Sequence, residues 1–396
     1  MSKIVIYAFP AVIDMVMASA MFVCTVRAAE MGESASRVAN LVTTLSIGYM
    51  VVCILVGRIV TPRNASKMLV AACAAIAGVS LAFVLFPGFS MMYPIVLLLA
   101  FALGFFFVPF QVFMKQVSHG GSGGITRSVG LYTLSWSSGF ALGPLVSGWL
   151  WKAYGWQTCC FVNIAAAIMS GVAIALLSRL AAAPHRGAAG PPAGRRPEPD
   201  YTSMPDLAWI AWLCGGIGCI TFALLRGVLP SSGVAFHLTK PEQGNVFFIF
   251  AGMQALVGLA LAWSRTWMYK AAPLAVFGLF GAAGLVLFSL ARTPAAFYGA
   301  AACYGVYSGS LFFYLVFHAL VHPVHSARYV SINESVVGVT GIIGPAVGGL
   351  LADHWGLSAS YLAAAILVGA ALVMQVVVHT RHAAAAAGLE RSMTNP

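Results

Sequence analysis

Asp14 stands inside an apolar run, Phe9-Pro10-Ala11-Val12-Ile13-Asp14-Met15-Val16, where little else is charged. A carboxylate at bilayer depth costs about 3 kcal/mol unless it is paired, hydrated or protonated. Such a group suits proton exchange or capture of a substrate cation; its structural alternative is a carboxyl hydrogen-bonded to a neighbouring helix. Glu334, directly after Asn333, is a second candidate, about two turns inside Arg328. It could exchange a proton, or reach the interface and pair with a basic loop. Gln254 offers a donor and an acceptor to a ligand, and Gln111 and Lys115 share one helix face. Lys115 is close enough to its helix end to snorkel, and Arg127 suits either an interfacial anchor or a contact to a substrate anion.

Aromatic side chains with polar tips can hold organic solutes by stacking and hydrogen bonding. Tyr132 and Trp136 share a face by their spacing, and Tyr307 lies between Tyr304 and Tyr314. Each could equally serve helix packing or the lipid interface. His318 and His322 could share a metal-ligand face with His325 nearby, but Pro323 breaks the helix there and no Cys or carboxylate completes the set. No metal or cofactor is expected. Nor is an enzyme: phosphate loop, zinc-protease helix and nucleophile elbow are all missing from the sequence.

The elements that must position these groups are membrane helices. The 396 residues are 60% hydrophobic and 8% charged, against roughly 25% charged for a soluble domain. Backbone polar groups in lipid must be paired internally, leaving helices or a closed barrel, and apolar runs of about 20 residues select helices. Gly, Pro and charge punctuation divides the chain into twelve spans near 4–26, 37–57, 68–88, 92–116, 127–150, 158–180, 206–229, 243–264, 273–292, 296–321, 328–352 and 358–380. The net charge of +11 belongs to cytoplasmic loops rather than to nucleic-acid binding. The eight Cys read as small buried hydrophobes. The N-terminus enters its first apolar run without a cleavage site, so it reads as a retained helix.

The chain also repeats itself. Gly139-Phe-Ala-Leu-Gly143-Pro144-Leu-Val-Ser147-Gly148 returns as Thr340-Gly-Ile-Ile-Gly344-Pro345-Ala-Val-Gly348-Gly349, at an offset of 201 residues. Arg127 aligns with Arg328, Tyr154-Gly155 with Trp355-Gly356, and Gly57 with Gly258. The expectation is an all-α membrane protein of twelve transmembrane helices in two pseudo-symmetric six-helix bundles. Residues 1–180 form the first bundle, 181–205 a Pro/Gly/Arg linker, 206–380 the second bundle and 381–396 a frayed tail. Most Lys and Arg then fall on one side, while Arg27, Arg37, Lys152, Arg226, Lys240 and Arg292 fall on the other. That bias places both termini in the cytoplasm.

These residues resemble the major facilitator superfamily. The fifth span, with Gly130, Gly139, Gly143, Pro144 and Gly148, is similar to the glycine-proline motif of its proton-coupled antiporters, Ser147 replacing one Gly. The loop from Gly57 to Lys67 is similar to the family's basic loop after the second span. There Asn64 can supply a left-handed turn, while Thr61 replaces the expected Asp. Gly104 matches the antiporters' fourth span, but Ala100 stands where their Arg would be.

The resemblance implies a secondary transporter working by alternating access, in the bacterial inner membrane and as a monomer. Its partners are a small-molecule substrate, protons and the lipid bilayer, with no nucleic acid. Asp14 and Glu334 are the proton-coupling candidates. Tyr132, Trp136, Gln254, Tyr307, Asn333, Gln111 and Arg127 are the substrate contacts. Gly57, Gly139, Gly143, Pro144, Gly148, Gly344 and Pro345 are the gating and packing residues. Proton-driven efflux is the expected direction, with proton-coupled or facilitative uptake as the alternative and a non-transporting sensor or scaffold as the alternative of another class.

Overall fold

The computed structural model describes residues 8–61, 63–117, 125–181, 207–263, 267, 270–321 and 326–394. The described residues form twelve helices. The first six are α1 (Ala8–Glu30), α2 (Ala35–Ile59), α3 (Ala65–Leu85), α4 (Phe89–Val117), α5 (Ile125–Tyr154) and α6 (Trp156–Ala181). The second six are α7 (Ala208–Ala235), α8 (Lys240–Trp263), α9 (Ala271–Leu290), α10 (Pro294–Val321), α11 (Ser326–Trp355) and α12 (Leu357–Thr394). Each expected span falls on one helix, and eleven helices are long and apolar enough to cross a membrane. The exception is α5, whose Ser and Gly face other helices rather than lipid.

Two local expectations change. The tail after 381 is not frayed backbone: α12 continues to Thr394, because the run Ala383–Ala387 has high helix propensity. Asn64 is not left-handed either, with φ −102°. It fixes the loop through its side chain, accepting from the Thr61 amide at 2.6 Å and donating to the Ile59 carbonyl at 2.8 Å. The 181–205 linker lies outside the described residues, apart from Ala181.

The repeat survives as matched geometry. Gly155 and Gly356 each close a helix in the left-handed region, at φ +89° and +87°. The Cys159 thiol donates to the Ser147 carbonyl at 3.4 Å, and the Ser360 hydroxyl to the Gly348 carbonyl at 2.7 Å. Both bonds tie one helix to the next at positions related by the same offset. Small residues let helix backbones approach closely in lipid. A Cβ on Gly143 would sit 2.9 Å from the Ala18 Cβ of α1, and one on Gly344 would sit 3.0 Å from the Ala223 Cβ of α7. Gly148 packs on Lys240 and Pro241 of α8, while its counterpart Gly349 packs on Ser36 and Ala39 of α2. Thus α5 bridges α1 to the other half, and α11 bridges α7 to the first half. Gly57 takes no part, since a Cβ there would meet nothing within 4 Å.

The two halves meet closely at the end where α1 passes into α2 and α7 into α8. Lys240 pairs with Glu30 and also lies 4.7 Å from the Trp151 ring centre. The Ser36 amide donates to the Asp353 carboxylate at 3.2 Å. This hairpin end is closed by contacts that each cross between halves.

Candidate functional site

Behind the hairpin-end closure, α1, α5, α7, α8 and α10 bring aromatic rings together from both halves. Phe140 of α5 lies 6.1 Å from Phe222 of α7, and 6.5 and 6.4 Å from Phe247 and Phe250 of α8. Phe222 meets Phe312 of α10 at 4.9 Å, and Trp136 meets the same ring at 5.2 Å. Trp136 therefore stands at the junction of halves. Ring contacts at these distances and tilts are favourable beyond their burial.

Asp14 enters this junction from α1. It is buried, and the Gly139 notch in α5 holds α1 so close that a Cβ there would lie 3.0 Å from the Asp14 Cβ. Among the described residues its one electrostatic partner is Arg226 of the opposite half. Arg226, close to the outer end of the expected span 206–229, lies deeper in its helix than that span implies. It sits about two turns inside α7, and its side chain points back toward the helix start. The guanidinium reaches the Met17 sulfur at 3.9 Å and lies 4.7 Å from the Phe140 ring centre and 5.7 Å from that of Phe222. Such cation–π contacts partly offset its desolvation. Among the described residues the ion pairs within 4.0 Å are Arg37–Glu33 and Lys240–Glu30, so Asp14 and Arg226 are neighbours without a direct bridge.

Other candidates are distributed differently. Gln254 is fully buried, and both ends of its amide are occupied: it donates to the Ser137 hydroxyl of α5 at 2.7 Å and accepts from Ser308 of α10. This network ties the halves together. Gln254→Leu is expected to lower stability by about 1–2 kcal/mol, because two buried hydroxyls lose their partner. Thermal unfolding of the purified protein reads this, and an unchanged midpoint would contradict the network's role.

Tyr307 does not face the junction. It is wedged inside the second half, where a Cβ on Gly218 would lie 2.7 Å from its hydroxyl and one on Gly281 would touch its ring. Tyr304 lies beside it, ring centres 5.7 Å apart and tilted by 58°, and shares a 2.8 Å hydrogen bond with Thr221. The glycines of α7 and α9 create these slots, and Tyr307 also lines a small cavity within the second half. Asn333 is buried, and its Oδ1 has no hydrogen-bond partner among the described residues. Glu334 is exposed, in a cleft where its charge is felt by Cys53 of α2 and Cys219 of α7. It is thus separate from Asp14. The side chains of Gln111, Lys115, Arg127 and Tyr132 lie outside the described residues, as do His322 and His325. The His318 ring lies 5.0 Å from that of Tyr314, tilted by 45°.

The Major Facilitator Superfamily model matches residues 4–324. The chain belongs to the major facilitator superfamily. It is therefore a multi-pass membrane secondary transporter and not an enzyme. Three solved structures of the same fold align over nearly the whole chain. The human organic anion transporter MFSD10 (TETRAN) superposes with a TM-score of 0.63 at 12% identity, covering 95% of this chain and 100% of that one. The nucleoside transporter NupG gives 0.67 at 10% identity, over 96% and 99%. A bacterial homolog of the human lysosomal transporter Spinster, inward-facing and unoccupied, gives 0.67 at 14%, over 96% and 97%. No curated protein matches the chain. At these identities the likeness shows the fold alone.

In a major facilitator the two bundles carry the site between them, so the hairpin-end contacts must break when that end opens. Removing both with Lys240→Ala and Asp353→Ala is expected to favour the hairpin-open state, each contact contributing about 0.5–1 kcal/mol. A membrane-impermeant thiol reagent added on that side should then label Thr25→Cys several-fold faster than in the parent carrying only Thr25→Cys. Equal labelling rates would show that these contacts do not close the end.

Proposed function

We propose that this transporter moves a small organic solute together with protons by alternating access, with Asp14 as the proton site. The observation that carries the reading is the buried Asp14 carboxylate at the junction of halves, where Arg226 of the opposite half is the one charge acting on it among the described residues. While Asp14 is ionised, the pair is neutral overall. A proton on Asp14 leaves the half-buried guanidinium without compensation, and its partial desolvation makes such a charge costly. Proton and solute then load together, because the solute supplies what the guanidinium has lost. An inward proton gradient would drive uptake. Glu334, exposed in its cleft, is a second proton-exchanging carboxyl on the path.

Efflux by exchange is the second reading, favoured by the glycine-proline motif of α5. Gly139 and Gly143 serve to seat α1, and Gly344 seats α7 in the same way, so the motif has an architectural role in both halves. That weakens its value as a sign of exchange. The charge logic at Asp14 therefore decides for co-transport. Both termini lie on the cytoplasmic side in this reading, as the Lys/Arg bias requires.

Proteoliposomes holding a trapped pH-sensitive dye test this against a panel of small organic anions, neutral compounds and cations. Co-transport predicts that at least one solute acidifies the lumen as it enters, over empty liposomes. Lumen alkalinisation would establish exchange instead. If no solute moves protons, the proposal fails and a sensor or scaffold role gains ground.

A further inference from the structure

We infer that the solute is an organic monoanion with a flat apolar body, recognised by Arg226 in the aromatic pocket behind the hairpin-end closure. The assignment rests on Asp14 being the proton site. The pocket is lined by α1, α2, α5, α7 and α8, with Met21, Phe22, Thr25, Phe140 and Phe247 around Arg226. Arg226 is its single charged lining residue. Both halves contribute to it, and its cavity of about 20 Å³ is room for a water-sized group only, so the solute enters it as the halves separate at the hairpin end.

The donors of Arg226 are poorly used. A guanidinium offers five N–H groups in a planar fork that matches a carboxylate or sulfonate. The contacts it has are a thioether sulfur at 3.9 Å, a weak acceptor, and the faces of Phe140 and Phe222. An anionic head placed there would use the fork and remove the cost of an uncompensated, half-buried charge. One cation calls for one negative charge once Asp14 carries its proton. The apolar body follows from the rings: Phe22 lies 6.1 Å from Phe247, and Phe140 6.5 Å from Phe247, forming an aromatic wall beside the guanidinium. An organic cation would meet Arg226 as a like charge.

The titratable surroundings are simple. From α5, Gly139 and Phe140 face Asp14 and Arg226; from α8, Phe247; and from α7 and α1, Phe222 and Met17. Cys24, Cys160 and Arg27 form a separate group nearer the hairpin end. Only Asp14 and Arg226 therefore set the charge of the pocket among the described residues.

The test uses three matched probes on the full chain in lipid nanodiscs: naphthalene sulfonate, neutral naphthalene sulfonamide and naphthylmethyl ammonium. Wild type should bind the sulfonate most tightly and the ammonium least. Arg226→Gln should lose about tenfold or more of the sulfonate affinity while keeping that for the sulfonamide, which reports an intact aromatic wall. Arg226→Lys, which keeps charge but not the fork, should fall between them. Asp14→Asn should bind the sulfonate at least as tightly as wild type, and independently of pH. An ammonium preference, failure of all three probes to bind, or unchanged sulfonate affinity in both Arg226 variants would overturn the assignment. An ammonium preference would remove the anion while leaving the role of Asp14 to the separate proton-flux assay.

Discussion

Asp14→Asn is expected to reduce solute-dependent proton movement to the level of empty liposomes, while solute exchange without a gradient continues within a few-fold of wild type. Asn fills the Gly139 notch as Asp does and resembles the protonated carboxyl, so Arg226 stays permanently available. It cannot release a proton, however, and the cycle loses its driving step. The split between lost coupling and retained exchange separates this from a folding defect. Proton flux at wild-type rates in Asp14→Asn would remove Asp14 from the mechanism. Loss of both activities with an unfolded sample would call for Asp14→Glu, which restores the proton and should restore part of the flux.

Gly143→Val is expected to destabilise the protein by about 3 kcal/mol or more, enough to prevent recovery of a folded sample. A Cβ alone would come within 2.5 Å of the Met15 carbonyl oxygen and 2.8 Å of the Ser19 amide. These are backbone atoms and cannot turn aside, so α1 must separate from α5. The separation would also pull Ser19 from Ser147, which are joined by a 2.7 Å hydrogen bond. Gly344→Val should behave alike, since Ala223 and the Leu224 amide each lie 3.0 Å from the corresponding Cβ. Gly57→Ala is the contrasting case. Its Cβ meets nothing, and the exchange should stabilise the helix by about 0.5–1 kcal/mol. The yield and unfolding midpoint of the three variants, measured side by side, check this. A Gly143→Val protein as stable as wild type would show that the close crossing of α1 and α5 is not needed.

The helices were legible because hydrophobic length is a direct physical requirement of the bilayer, and eleven of them satisfy it outright. The repeat carried further. Gly143 and Gly344 occupy equivalent crossings, and Gly155 and Gly356 equivalent left-handed turns, as the offset of 201 residues implies. Asp14 was legible because a carboxyl in an apolar run always needs an explanation. Its partner was not. Arg226 was read at the outer end of the span 206–229, although Phe222-Ala-Leu-Leu-Arg226-Gly-Val-Leu continues apolar on both sides. Counting turns to Ala235 would have placed it inside α7.

Facing direction was the other obstacle. Tyr307 and Gln254 both lie mid-span, yet glycine slots turn the first into its own half, and two serines from different helices occupy the second. Neither fact has a trace in linear spacing. The aromatic wall of Phe140, Phe222, Phe247 and Phe312 was hidden for a related reason. Phe is common on lipid-facing surfaces, and only the crossing of four helices gathers these rings.

Binding-linked proton exchange tests the central claim most directly. Purified protein in lightly buffered solution near neutral pH is mixed with the solute that moves protons in liposomes, and the pH change on binding is recorded. The account predicts uptake approaching about one proton per chain in wild type and none in Asp14→Asn. Proton release by wild type, or equal uptake by both proteins, would contradict it.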